Sequence, residues 1–145
     1  MAKPSLLLLD THAWIWLMNG DKGKFSTASR KAIEQASRRA ELRVSVMSVW
    51  EVAMLEAKGR LKLSQSCDDW VGAALTAPGV SLVPLSSDAA IESSRLPGGF
   101  HGDPVDRILV ATARQLGATL VTQDDKIIQY GKQHYVSVMP MLSRA

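Results

Sequence analysis

The feature that most restricts the fold is a run of four leucines, Leu6-Leu7-Leu8-Leu9, cut off by Asp10 and resumed as Ala13-Trp14-Ile15-Trp16-Leu17. An apolar run of this length between polar residues predicts a strand buried on both faces, the pattern of a parallel sheet covered by helices. In open parallel sheets, ligands bind beyond the carboxyl ends of the strands. Asp10 therefore stands either at the floor of such a crevice or as the N-cap of the next helix, a position Asp favours.

The remaining chain alternates strand and helix patterns. Thr11 to Met18 reads as a short helix closed by Asn19-Gly20-Asp21. Ser26 caps a helix over Thr27 to Ala40, with Ala28, Ala32, Ile33 and Ala36 inward and Arg30, Lys31, Arg38 and Arg39 outward. Leu42 to Val46 alternates like a strand, and Ser48 and Glu51 have capping-box spacing ahead of a helix ending near Gly59. Asp68 or Asp69 starts a further helix, stopped by Pro78-Gly79. Val80 to Leu85 is a strand that Pro84 keeps from the centre of a sheet. Ser87 to Leu96 is helical, and Asp103-Pro104 opens the clearest helix, which runs to Leu116 with Gly117 beyond. Thr119 to Thr122 is a strand, Asp124 or Asp125 starts a helix to Tyr130, and Tyr135 to Met139 is a last strand. This order predicts a single α/β domain over residues 1–145 with a mainly parallel, roughly five-stranded sheet.

A chain of 145 residues suits one domain. Its single cysteine, Cys67, rules out an internal disulfide and suggests a reducing cytoplasm. Lys3 followed by leucines imitates a secretory signal, but Asp10 and His12 interrupt the run. No segment approaches the roughly 18–20 apolar residues of a membrane span. The net charge of +3 permits a polyanionic partner without requiring one.

Acidic residues recur at strand ends and helix starts: Asp10, Glu51, Asp103 with Asp106, and Asp124. If the strands are parallel, all of them face one rim. Each also has a purely structural role open to it, Glu51 in a capping box and Asp103, Asp106 and Asp124 in helix first turns. Converging ionised carboxylates repel and raise one another's pKa unless a cation is present. An oxygen-only cluster without paired His or Cys suits Mg²⁺ or Mn²⁺ rather than Zn²⁺. Such a metal lowers the pKa of bound water and neutralises a phosphoryl oxygen, which points to hydrolysis of a phosphate ester.

The three histidines, His12, His101 and His134, read as structural or peripheral, with His101, next to the acids, the exception to watch. Among basic residues, Lys22, Lys24, Arg30, Lys31, Arg38, Arg39 and Arg43 read as a solvated face, whereas Lys58, Arg60 and Lys62 could flank the crevice and hold a nucleic-acid backbone. Trp14, Trp16, Trp50 and Trp70 read as core or dimer contacts rather than base-stacking platforms.

The strings Leu8-Leu9-Asp10-Thr11-His12-Ala13-Trp14, Ser48-Val49-Trp50-Glu51-Val52-Ala53, His101-Gly102-Asp103-Pro104-Val105-Asp106-Arg107 and Leu120-Val121-Thr122-Gln123-Asp124 occur in this order. With them the chain resembles the PIN-domain family, and within it the VapC-type toxin ribonucleases of type II toxin–antitoxin systems. The resemblance implies a three-layer α/β/α sandwich, a homodimer, and Mg²⁺-dependent endoribonuclease activity silenced by a small antitoxin. It implies Asp10 and Asp106 as direct metal ligands, Glu51 as an aid in placing the metal or water, and Asp124 acting through water. Asp103 belongs to the acid cluster but is absent from many members. Leu55 stands where close relatives often carry lysine, which removes a supporting contact rather than the metal site. Two alternatives stand beside this reading. A non-catalytic RNA- or protein-binding PIN module would be expected to have lost acids. A phosphatase with Asp10 as nucleophile would need a second Asp where His12 stands.

Overall fold

The computed structural model describes residues 6–142. Its strands are β1 (Leu7–Leu9), β2 (Leu42–Ser45), β3 (Val80–Val83), β4 (Thr119–Thr122) and β5 (Ser137–Pro140). They form one sheet in the order β3-β2-β1-β4-β5, and every pairing is parallel. The leucine run lies at its centre with all three strand residues buried. Leu9 is in register with Val44 and Val121, so the chain leaves the three central strands level, at Asp10, Ser45 and Thr122.

The helices are α1 (Thr11–Met18), α2 (Thr27–Arg38), α3 (Val46–Ala57), α4 (Cys67–Leu75), α5 (Ser87–Ser93), α6 (Pro104–Leu116) and α7 (Asp125–Lys132). Because successive strand side chains point to opposite faces, the leucines divide between two cores. Leu7 and Leu9 pack with Trp14, Ile33, Val52 and Trp70, contributed by α1 to α4. Leu8 packs with Ala89, Leu109, Val110 and Ile127, contributed by α5 to α7. The result is the expected α/β/α sandwich. Each fully buried Leu or Val on the sheet contributes about 1.5–3 kcal/mol through burial. Trp14 meets Trp70 edge-on with ring centroids 5.0 Å apart, which ties α1, the helix that Asp10 caps, to α4. Among the described residues, no helix is long and apolar enough to cross a membrane.

Several boundaries differ from the sequence reading. α3 starts at Val46 with Ser45 as its N-cap, the Ser45 hydroxyl accepting from the Met47 N–H at 3.0 Å. There is no loop between β2 and α3, so Ser48 lies inside the helix, fully buried, and Glu51 is past its first turn. The capping box is therefore absent. α2 stops at Arg38, and Ala28 is exposed while Ser29 takes the buried place, its hydroxyl donating to the Met141 carbonyl at 2.7 Å. Ser66, rather than Asp68 or Asp69, caps α4. β3 ends before Pro84 and is an edge strand, as that proline requires. β5 begins at Ser137 because Tyr135 is stacked on Tyr130, centroids 4.9 Å apart, and His134 has a left-handed φ of 67°.

Candidate active site

All five acids singled out in the sequence line one cleft of about 480 Å³ at the carboxyl rim of the sheet. Thr11, His12, Trp16, Leu109 and Gln123 complete its lining, which includes no Lys or Arg. The convergence follows from topology. Asp10 ends the central strand, and Glu51 rides on the helix leaving the strand beside it. Asp124 follows the strand on the other side, and Asp103 and Asp106 arrive on α6.

Asp10 serves as cap and cleft residue together. Its Oδ1 accepts from the Ala13 N–H at 2.7 Å, and its Oδ2 accepts from the Thr122 hydroxyl. Thr122 Oγ1 in turn accepts from the Asp124 N–H at 3.0 Å, so one buried hydroxyl ties two acids together. Asp124 caps α7 through the Ile127 N–H at 3.0 Å. Asp103 caps α6 through the Asp106 N–H at 2.9 Å, with Pro104 in the first turn. Behind the cleft, the Thr11 hydroxyl donates to Ser48 Oγ at 3.0 Å, joining α1 to α3 close to Glu51. Glu51 itself is half-buried and caps nothing, so of the five it is the acid with the least structural explanation.

The electrostatics follow from this crowding. Burial pushes the Asp106 carboxyl up to about 7, and the charges of Asp103, Asp124, Glu51 and Asp10 push in the same direction. Burial also raises Asp10, opposed by the Thr122 and Ala13 hydrogen bonds and by the nearby His12, while Asp124 adds to the rise. Among the described residues, no three acidic, imidazole or thiol side chains stand close enough to enclose a metal ion. The donors are nonetheless all carboxylate oxygens around one cleft, with no Lys or Arg in its lining. That composition suits a hard divalent cation.

The loop before α6 is held tightly. Arg107 donates from Nε to the Ser93 carbonyl at 2.8 Å and from a terminal nitrogen to the Phe100 carbonyl at 2.5 Å. A Cβ at Gly102 would lie 2.4 Å from the Phe100 ring and 3.0 Å from Asp106 Cβ. Gly102→Ala is therefore expected to destabilise the protein by about 1–3 kcal/mol, as overpacking does. It should also displace Asp106. A thermal melt unchanged from the parent would refute this.

Sequence reasoning missed Thr122, which lay within a quoted string yet received no role, and Trp16, assigned to core or dimer contacts but found on the cleft wall. Lys58, Arg60 and Lys62 are exposed and do not line the cleft. His12 lines it from the exposed side, whereas His101 stands outside it, in a neighbouring hollow.

A parallel α/β sandwich that gathers carboxylates at its central strand ends defines a class of acid-centred domains, and comparison places the chain within it. The PIN domain matches residues 7–133, and the chain belongs to that family. It is similar to ribonuclease VapC22 of Mycobacterium tuberculosis (strain ATCC 25618 / H37Rv), 33% identical over 132 residues, covering 91% of this chain and 97% of that protein. Its fold is similar to VapBC2 from Rickettsia felis bound to a DNA fragment from their promoter, with a TM-score of 0.66 at 14% identity, covering 93% of this chain and 98% of that one. DNA-bound VapBC from Salmonella typhimurium gives a TM-score of 0.65 at 13% identity, covering 95% and 99% of the two chains. The family resemblance drawn from the sequence strings is thus borne out.

Proposed function

We propose that the chain is a divalent-metal-dependent endoribonuclease, the toxin of a toxin–antitoxin pair, acting as one PIN domain in the cytoplasm. The observation that carries this reading is the meeting of Asp10, Glu51, Asp103, Asp106 and Asp124 in one cleft, where Asp106 holds a proton up to about pH 7. The likeness to ribonuclease VapC22 supports RNA as the substrate, and the VapBC neighbours support a small antitoxin partner. A homodimer belongs to the same reading, and Trp50, 54% exposed on α3, offers an apolar contact for it.

Asp10, Asp106, Glu51 and Asp124 would hold Mg²⁺ or Mn²⁺, which supplies water of lowered pKa and offsets charge on the scissile phosphate. The protein's own contribution is positional. Thr122 and the Ala13 N–H fix the Asp10 carboxylate, so its oxygens need no reordering when charge arrives opposite them. Asp124 is held by its cap and by the Thr122 link, and Glu51 by the Thr11–Ser48 hydrogen bond that anchors its helix. Asp106 loses its proton as pH rises through about 7 and becomes a full donor only then. Apparent metal affinity is therefore expected to fall by up to about tenfold per pH unit below 7. A titration giving the same affinity at pH 6 and pH 8 would contradict it.

The test is incubation of the protein with total RNA in Mg²⁺ or Mn²⁺, then with EDTA, followed by mapping of the cut ends. Discrete metal-dependent cuts that EDTA abolishes are expected. RNA binding that ignores chelator, with no turnover, would establish a non-catalytic module instead.

A further inference from the structure

We propose that Trp16, together with the pocket behind it, holds an unstacked nucleobase of the RNA strand next to the bond being cut. This rests on the ribonuclease reading and adds the path by which the strand leaves the acid cleft. α1 sets His12 and Trp16 one turn apart, their rings 5.4 Å between centroids, and both line the cleft. Trp16 stays half-buried although its neighbours Trp14 and Ile15 are fully packed.

The same tryptophan also borders a separate pocket of about 180 Å³, lined by Leu17, Phe25 and Ile33 with Lys22 and Arg30 among its residues. The Lys24 ammonium lies 4.8 Å from the Trp16 ring centroid. The ring is therefore a shared wall between the carboxylates and a small, mainly apolar slot, with Lys22 and Arg30 in the slot's lining and Lys24 beside the ring.

A phosphodiester strand running away from a cleft lined by five acids is repelled by whatever charge the bound metal does not offset. It needs cations nearby, and the cleft lining has none. Lys22, Lys24 and Arg30 supply them on this flank, where phosphate contacts position a strand. Single-stranded RNA is recognised by splaying bases onto aromatic rings and hydrogen-bonding their edges. Asp21 and Glu34, in the same pocket, provide acceptors for base amino groups. Apolar slot, aromatic wall, cations and acceptors together fit one nucleotide.

The test uses the Asp106→Asn protein, so that bound RNA is not consumed, and a labelled RNA of about ten nucleotides spanning the mapped cut. Trp16→Ala should weaken binding roughly ten- to a hundredfold, and Trp16→Phe by about threefold or less, matching the worth of one stacked base. An abasic site at one position of the RNA should cause a similar loss, and Trp16→Ala should then add nothing. Lys24→Ala should reduce the salt dependence by about one counterion. Trp16→Ala binding within about twofold of its parent would overturn the inference, as would an equal loss on intact and abasic RNA. A Trp16→Ala defect confined to capture of a co-expressed antitoxin would overturn it too, marking a protein-docking face. If Trp16→Ala does not fold, Trp16→Leu, which fills the space without an aromatic face, carries the same comparison on the abasic series, with the same loss of roughly tenfold or more expected on intact RNA. Wild-type protein that neither cuts nor binds RNA defeats the ribonuclease reading. Cutting and binding unaffected by Trp16 retires this inference alone.

Discussion

Asp106→Asn should silence RNA cleavage by about a hundredfold or more and, in the metal-free protein, raise the melting temperature above neutral pH. The two effects share a cause. Asp106 is pushed up to about 7 by burial and by four neighbouring carboxylates, against an ordinary value of 3.8. A carboxyl whose folded pKa is raised contributes stability that is complete below its unfolded value and disappears as pH rises through the folded one. At pH 8 the wild-type side chain is charged among like charges, whereas Asn carries no charge at any pH. After allowance for screening at a half-buried position, the gain is about 1–2 kcal/mol. For a chain of this size that corresponds to roughly 3–6 °C. Near pH 4 the wild-type group is protonated and the difference should close. Melting curves at pH 4, 6 and 8 in EDTA, beside a cleavage assay in Mg²⁺, measure both. A variant that still cuts within about threefold of wild type, or that melts lower at pH 8, contradicts the assignment.

Thr122→Val should cost about 2–3 kcal/mol and lower cleavage roughly ten- to a hundredfold, although the two side chains have nearly the same shape. Thr122 is fully buried at the end of β4, and its hydroxyl both donates to Asp10 and accepts from the Asp124 N–H. Valine suits the strand and fills the space, so packing is preserved. What disappears is a hydrogen bond to a carboxylate, and the Asp124 N–H is left without that acceptor. Thr122→Ser keeps the hydroxyl and is the control, expected to retain most of the activity while losing about 1 kcal/mol of packing. If serine and valine lower cleavage equally, the hydroxyl link is not what positions the acids.

The features legible in the sequence were those set by neighbours in the chain. The buried central strand followed from uninterrupted apolar residues at Leu7–Leu9, and α6 from Asp103, Pro104 and Gly117 at their structural positions. The convergence of the acids followed as well, because parallel strands force their carboxyl ends onto one rim. Other features depend on partners far along the chain. Ser48 has the spacing of a cap, yet it is buried against Thr11, 37 residues away, and the strand passes into the helix without a turn residue to mark the join. Ser29 replaces Ala28 inward because a carbonyl 112 residues away meets its hydroxyl. Thr122 and Asp10 are also 112 residues apart, so nothing local marked that threonine for a role. Trp16 looked like core because tryptophans at helical spacing usually are. Only the placement of α1 at the cleft edge shows which of its rings faces outward.

The order of strands has a consequence for a chain emerging from the ribosome. Asp10 and Glu51 are both made by residue 51, but β1 has no partner on one side until β4 arrives with Asp124 just after it. Leu8 is covered first by α6 and fully only when α7 follows β4, and the set of acids is incomplete until Asp124 is made. On the function proposed here, the nascent polypeptide cannot attack the message that encodes it. The hazard begins only once Asp124 has joined the other acids.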